Sequence, residues 1–405
     1  MFENIIAQGA VNQLRDDVQS GRDVPSMLFF GPPASGKGSA ALELARVYSC
    51  ADKAAWTCVC PSCEMHRLLA HDDLMLLGSR EFSSDILACK SSFLKNSRNQ
   101  GVKILFYRSL RKLQLRFSPI ALENDSKTAK AVSSVLQTFD EGLNELLALN
   151  TQDCDQKDIE KLVNSLVKDA LKLQDEGLSD SVPVGHIRSA SYWCRLAPAG
   201  KRKTLIIDNA EKMGNDSFNS LLKILEEPPE TVSIILTAQR REAVMPTILS
   251  RLRPYRFLKR DAKGEKDVIR RVFQDTSEES LSVYLDSFLQ QSSEKLQPLA
   301  SWFIASLKDC VQKRGVKSAS VIKEILSKSN NFKDISFSAF MKAVMDSANG
   351  AMREKGDPGF IAYNDLIRKH IHEAVSAVDV YNINAVIALE ALFYKLKTAL
   401  RGCYG

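Results

Sequence analysis

The stretch FFGPPASGKGSA, residues 29–40, sets glycine, four residues, glycine and lysine at Gly31, Gly36 and Lys37. A glycine-rich loop between a strand and a helix aims backbone N–H groups at a phosphate, and the helix N-terminus adds the positive end of its dipole. Lys37 supplies a point charge for the outer phosphates, and a hydroxyl in the next position ordinarily ligates Mg²⁺. Position 38 is glycine and offers no ligand. Ser39 lies about 100° further round a helix, so its hydroxyl aims elsewhere while its backbone N–H, still in the first turn, can reach an inner phosphate.

The second half of such a site is an apolar strand ending in an acid. TLIIDNAEKM, residues 204–213, supplies Asp208, suited to holding Mg²⁺ through water. The following residue is Asn209, and an amide cannot take a proton from attacking water. Loss of a general base costs about 10²–10⁴-fold in rate. Glu211 is two residues further on and is expected to face elsewhere, so it does not count as a substitute. The departures at 38 and 209 strike the metal and the base together, and they point to lost hydrolysis. ATP or ADP with Mg²⁺ is expected to bind weakly or not at all.

Cys50, Cys58, Cys60 and Cys63 place four thiols within fourteen residues. Soft ligands at this spacing suit a closed tetrahedral Zn²⁺ site with no open position for catalysis. Cys89, Cys154, Cys194, Cys310 and Cys403 are scattered and read as ordinary thiols.

These groups need a scaffold. Four short apolar runs, residues 26–30, 204–207, 232–236 and 255–258, read as buried parallel strands. Between the second and third, Phe218, Leu221, Leu222 and Leu225 recur at helical spacing until Pro228 and Pro229 stop the helix. Strand, helix, strand in this order implies an α/β fold with a parallel sheet. Residues 83–178 interrupt the rhythm with two helical stripes, one from Val132 to Leu147 and one from Ile159 to Val167, which read as an inserted helical module. After Leu258 only helical patterning remains.

With 405 residues, 44% hydrophobic and 26% charged, the chain is expected to fold as two or three globular domains. No stretch approaches the roughly 18 apolar residues that cross a membrane. MFENIIAQGAV lacks the basic start and apolar run of a signal peptide, so a cytoplasmic protein is expected. Nine cysteines then read as free thiols or metal ligands. Eight cations and no acid lie between Lys90 and Phe117: Lys90, Lys95, Arg98, Lys103, Arg108, Arg111, Lys112 and Arg116. They read either as the solvated face of packed helices or as contacts to DNA phosphates, the latter with a salt-dependent affinity.

The chain resembles the clamp-loader subunits of bacterial DNA polymerase III, an AAA+ family. The resemblance is carried by FENIIAQGAVNQL, by HDDLMLLG from His71 to Gly78, by INAVIALEAL near the C-terminus, and above all by LEEPP followed by TILSR in residues 205–257. It covers residues 1–80 and 180–258 well and the remainder faintly. It implies an AAA+ P-loop domain over 1–258 interrupted by the 83–178 insertion, a helical lid over 259–325 and a helical collar over 326–405. Gln239 stands at the position resembling a polar sensor. Ser250-Arg251-Leu252 resembles the family's Ser-Arg-Cys motif, whose arginine reaches into a neighbour's ATP. Such a finger contributes about 10³–10⁵-fold to phosphoryl transfer. The resemblance therefore implies a non-hydrolysing, delta-prime-like subunit whose partners are other loader subunits, the sliding clamp and primer-template DNA. An ATP-hydrolysing gamma/tau-type subunit is the alternative favoured by Gly31, Gly36 and Lys37. A free-standing nucleic-acid-dependent AAA+ ATPase would need a base and a lid arginine, and neither can be placed.

Overall fold

A computed structural model describes residues 1–401 except 23, 79–81, 180, 292–295, 312–317, 329–336, 356–363 and 380–382; Cys403 lies outside the described residues. Five strands, β1 (Ser26–Phe30), β2 (Leu74–Gly78), β3 (Lys203–Asp208), β4 (Val232–Ala238) and β5 (Arg253–Arg256), form one parallel sheet in the order β2-β3-β4-β1-β5. Alternate residues of each strand feed opposite cores. Phe29, Ile206 and Ile235 pack to one side, while Leu28, Leu205, Ile207 and Ile234 pack to the other. A strand buried on both faces must read as a continuous apolar run, which is why β1, β3 and β4 fall where the pattern predicts.

Two strands depart from the sequence reading. The last strand begins at Arg253 and ends at Arg256, not at Leu258, whose side chain is exposed. As an edge strand, β5 pairs only with β1 and tolerates arginines that an apolar-run criterion rejects. The strand β2 was not read as one. Its apolar core is only the four residues Leu74–Leu77, and it pairs with β3 in a register that sets Gly78 beside Asp208.

Helices cover the sheet. In chain order they include α1 (Ala10–Gln19), α2 (Lys37–Ser49) and α3 (Pro61–Arg67). Six more lie between β2 and β3: α4 (Ser83–Lys95), α5 (Gln100–Gln114), α6 (Pro119–Leu122), α7 (Ser126–Ala148), α8 (Gln156–Gly177) and α9 (Val184–Trp193). Then come α10 (Asn215–Glu226) and α11 (Pro246–Leu249). Val132, Val135, Phe139, Leu143 and Leu146 form the buried face of α7, and Ile159, Val163, Leu166 and Val167 belong to that of α8. Gly142 lets these two helices approach, since a Cβ there would stand 2.8 Å from Leu166 Cδ2.

Every described element after β5 is helical. The chain divides into two compact units, Met1–Leu285 and Asp286–Gly405. The second has its own core, in which Phe303 meets Phe340 and Phe393 edge-on at centroid distances of 6.0 and 5.6 Å. No described helix is long and apolar enough to cross a membrane.

Candidate nucleotide site and cysteine cluster

The loop after β1 turns on two glycines. Gly31 has φ 153°, and a Cβ there would collide with the Phe257 carbonyl oxygen. Gly31→Ala is expected to destabilise the fold by about 1–3 kcal/mol in urea denaturation, because the colliding group is backbone and cannot swing away. Gly36 has φ 92° and opens α2. The Arg260 guanidinium crosses over it, donating from Nε to the Ile6 carbonyl at 2.9 Å and from Nη1 to the Ala34 carbonyl. Lys37 is buried, and its Nζ donates to the carbonyls of Gly31 (2.5 Å) and Pro32 (2.7 Å). Ser39 is exposed on the first turn of α2.

Asp208 ends β3, its carboxylate already engaged on both oxygens. Thr237 donates its hydroxyl to Oδ1, and Arg116 pairs with Oδ2 at 3.3 Å. Asn209 adopts φ 53°, and its N–H donates to Thr237 Oγ1 at 3.1 Å. That left-handed residue breaks the alternation of the strand, and the chain tightens into a 3-10 turn over Ala210–Lys212. Glu211 consequently does not face away, as the sequence suggested. Its Oε1 accepts the Gln239 N–H at 3.1 Å, and its other oxygen is buried without a hydrogen-bond partner. Burial pushes the Glu211 carboxyl upward, against the pull of its backbone N–H donors and the Lys37 ammonium, while Asp208 adds to the rise. Gln239 joins the site through this backbone contact; its residue is otherwise exposed.

The residues do not fit a bound Mg²⁺. Gly38 carries no hydroxyl, Asn209 no charge, and the one carboxylate at the strand end already faces a guanidinium. A hard divalent cation needs oxygen ligands and is repelled by a cation beside them.

Arg251 lies at the other end of the sheet. The loop leaves the C-terminal end of β1, whereas Arg251 precedes the N-terminal end of β5, its parallel neighbour. At about 3.3 Å per residue the length of the strands separates them by roughly 13 Å or more. Arg251 Nη2 pairs with Glu226 Oε1 at 2.5 Å, and its Nη1 donates to the Thr247 carbonyl at 2.6 Å. It borders a recess of about 410 Å³ also lined by Arg22, Pro25, Glu226, Pro228 and Arg253. Buried Asp17 accepts from Arg22 at 3.1 Å and from Arg253 at 2.8 Å.

The four cysteines converge. Their sulfurs all lie within 4.8 Å of one another, with Cys50 Sγ 3.7 Å from Cys58 and 4.0 Å from Cys60. Metal–sulfur bonds of about 2.3 Å in a tetrahedron give sulfur–sulfur edges of about 3.8 Å. The short Cys58-Val59-Cys60 step is accommodated by turning Val59 out to solvent. Backbone N–H groups of Ala51 and Cys63 bring Cys60 down to about 6 against the upward push of burial, while burial raises Cys63 to about 12. Arg46 donates from Nη1 to Cys63 Sγ at 2.9 Å. The cluster could hold a metal ion.

The family model for "DNA polymerase III, delta subunit" matches residues 124–261, a span that holds Asp208, Gln239 and Arg251. The chain is also 44% identical over 62 residues to the DNA polymerase III subunit gamma/tau of Mycobacterium tuberculosis, covering 15% of this chain and 11% of that protein. It is 45% identical over 58 residues to the subunit tau of Escherichia coli, covering 14% and 9%. Over these stretches the chain is similar to DNA polymerase III subunits. It spans only about a tenth of the length of these curated relatives. A solved DNA polymerase III gamma subunit-related protein from Thermotoga maritima aligns with TM-score 0.30 and 17% identity over 55% of this chain and 81% of that one.

The basic run of the insertion is not one surface. Lys103 is buried and donates to the Leu147 and Leu149 carbonyls at the end of α7, at 2.9 and 2.6 Å. Arg108 donates to the His66 and Arg67 carbonyls, and Arg111 Nε to that of Leu69 at 3.2 Å, so α5 is docked on the C-terminal end of α3. Cations at helix C-termini meet unsatisfied carbonyls and the negative dipole end. Burial lowers Arg108 to about 10. Lys95 pairs with Asp275 at 2.7 Å, and Arg116 with Asp208. Sequence reasoning missed Thr237 and Arg116 as neighbours of Asp208. A buried hydroxyl in the apolar strand β4 was the available signal for Thr237; for Arg116 there was none.

Proposed function

We propose that this chain is a non-hydrolysing, delta-prime-like subunit of a DNA polymerase III clamp loader that completes a neighbouring subunit's ATP site with Arg251. The observation that carries the reading is the position of Arg251. It is partly exposed, at the edge of the sheet opposite its own loop, so the phosphates within its reach are a neighbour's. Arg22, Arg251 and Arg253 around the recess outnumber the acids they pair with, Asp17 and Glu226, which leaves a small positive excess toward an anion. Partners on this reading are other loader subunits, the sliding clamp and primer-template DNA, within an AAA+ architecture of P-loop domain, lid (259–325) and collar (326–405). Gly31, Gly36, Lys37 and Ser39 hold an adenine nucleotide without turnover, with Asp208 and Gln239 at its margin. The metal of the cysteine cluster is Zn²⁺, in a structural role.

The purified chain, assayed alone with ATP, Mg²⁺ and primed DNA, is expected to give no turnover above background. Robust turnover lost in Lys37→Ala would reject this reading and mark a hydrolysing gamma/tau-type subunit. The contact of Glu211 with the Gln239 N–H, close to Lys37, favours that second reading, since it brings a carboxylate to the site despite Asn209.

A further inference from the structure

We infer that Arg260 is a positioning residue for the loop after β1. Its guanidinium fixes the peptide between Ala34 and Ser35, so that the Ser35 N–H faces the interior where a nucleotide's phosphate is held. The inference deepens the nucleotide-holding part of the function proposed above and rests on it.

The chain just beyond β5 is anchored against the N-terminal segment. Gln8 donates from Nε2 to the Leu258 carbonyl at 2.8 Å and accepts the Leu258 N–H at 3.1 Å. A Cβ on Gly264 would stand 2.8 Å from that of Ala7. From this fixed backbone the half-buried Arg260 reaches over the loop. Its Nε donates to the Ile6 carbonyl at 2.9 Å and its Nη1 to the Ala34 carbonyl, while Nη2 lies 2.8 Å from where a Gly36 Cβ would stand. One planar fork thus ties the N-terminal segment to the loop.

The contact with Ala34 decides an orientation. A trans peptide is planar, and its C=O and N–H point in opposite directions. With the Ala34 carbonyl turned out to Arg260, the Ser35 N–H turns inward, where it meets the Pro32 carbonyl at a long 3.4 Å. Lys37 Nζ reaches that same oxygen at 2.7 Å. An amide and an ammonium converging on one oxygen is the arrangement a phosphate oxygen needs. Ala34 keeps φ 56°, a left-handed backbone that a residue with a Cβ adopts only where its surroundings impose it. Arg260 stands on the carbonyl side of this peptide, so it acts through Ser35 and not on the phosphate itself.

The test is equilibrium binding of fluorescent ADP and ATP analogues to the full chain, with thermal melts to check that each variant folds. Arg260→Met is expected to weaken binding by about tenfold, because the loop must then be ordered by the ligand. Arg260→Lys should be nearly as weak, since an ammonium keeps the charge but lacks the fork that spans two carbonyls. Ala34→Gly added to Arg260→Met should recover most of the loss, because glycine takes the left-handed backbone unaided. Neither a merely structural role nor simple charge attraction gives that pattern. Full binding by Arg260→Lys overturns the inference in favour of charge alone. Binding by Arg260→Met equal to that of wild type, or a double variant no better than Arg260→Met, also overturns it and leaves the nucleotide site standing. No binding by the wild type rejects the nucleotide reading and, with it, the site that Arg260 positions. Should Arg260→Met fail to fold, the comparison of wild type with Arg260→Lys still decides.

Discussion

Arg251→Ala, introduced into an otherwise intact reconstituted loader, is expected to slow ATP hydrolysis at the adjoining subunit by about 10³–10⁵-fold, the range for losing an arginine finger. ATP affinity there should change far less, because the finger acts on charge that develops as the phosphoryl group transfers. The resting contacts of Arg251 suit such a switch of partner. Its ion pair with Glu226 joins side chains 32% and 48% exposed, and pairs this wet contribute little to stability. Releasing the guanidinium toward a neighbour's phosphates therefore costs little. Arg251→Lys should rescue poorly, since an ammonium lacks the planar fork that spans two phosphate oxygens. Lys37→Ala in the same subunit serves as the control and should leave the neighbour's rate unchanged. Equal loss of rate in Arg251→Ala and Lys37→Ala would point to a general assembly defect and reject the finger.

What could be read from the sequence follows from how local each feature is. The strands β1, β3 and β4 were legible because burial on both faces forces a continuous apolar run. The edge strand β5 was displaced because arginines open and close it, and β2 was passed over although its apolar run, Leu74–Leu77, is as long as the one that marked β3. Glycine spacing revealed the loop because both positions take left-handed φ, although the groups that crowd them, Phe257 at Gly31 and Arg260 at Gly36, are distant in sequence and left no local signal. Glu211 was misdirected for a definite reason. Strand alternation points it away, but the left-handed Asn209 and the turn after it bring it back. Arg116 was beyond reach. It meets Asp208 from 92 positions away in sequence, and within a run of eight cations nothing singles it out. The run divides in the fold: Lys103, Arg108 and Arg111 cap helix ends, whereas Arg116 alone reaches the strand that carries Asp208.

Removing the metal from the cysteine cluster should have the second large effect. The purified chain is expected to carry one Zn²⁺, and Cys63→Ser should lose it and lower the melting temperature of the first unit by roughly 8–16 °C. That range corresponds to about 4 kcal/mol of linkage when free metal stands about a thousandfold above its dissociation constant. The effect spreads beyond the loop because Cys63 is wired inward. Arg46, which donates to its sulfur, also donates to Glu43 at 2.7 Å and to the Ala54 carbonyl at 3.0 Å. Glu43 in turn accepts the N–H of Phe2, whose ring is buried in the core beneath α2. Loss of the thiolate leaves the Arg46 charge short of a partner in a place where both side chains of its ion pair are 2% exposed. The pH dependence has a fixed sign. Burial holds the Cys63 thiol up near 12, so the metal must displace its proton, and acidification favours the metal-free form. The stabilisation should be present at neutral pH and fade as pH falls, in parallel with zinc content. A chain that melts at the same temperature with and without zinc, or Cys63→Ser that keeps its zinc, would reduce the cluster to four neighbouring thiols.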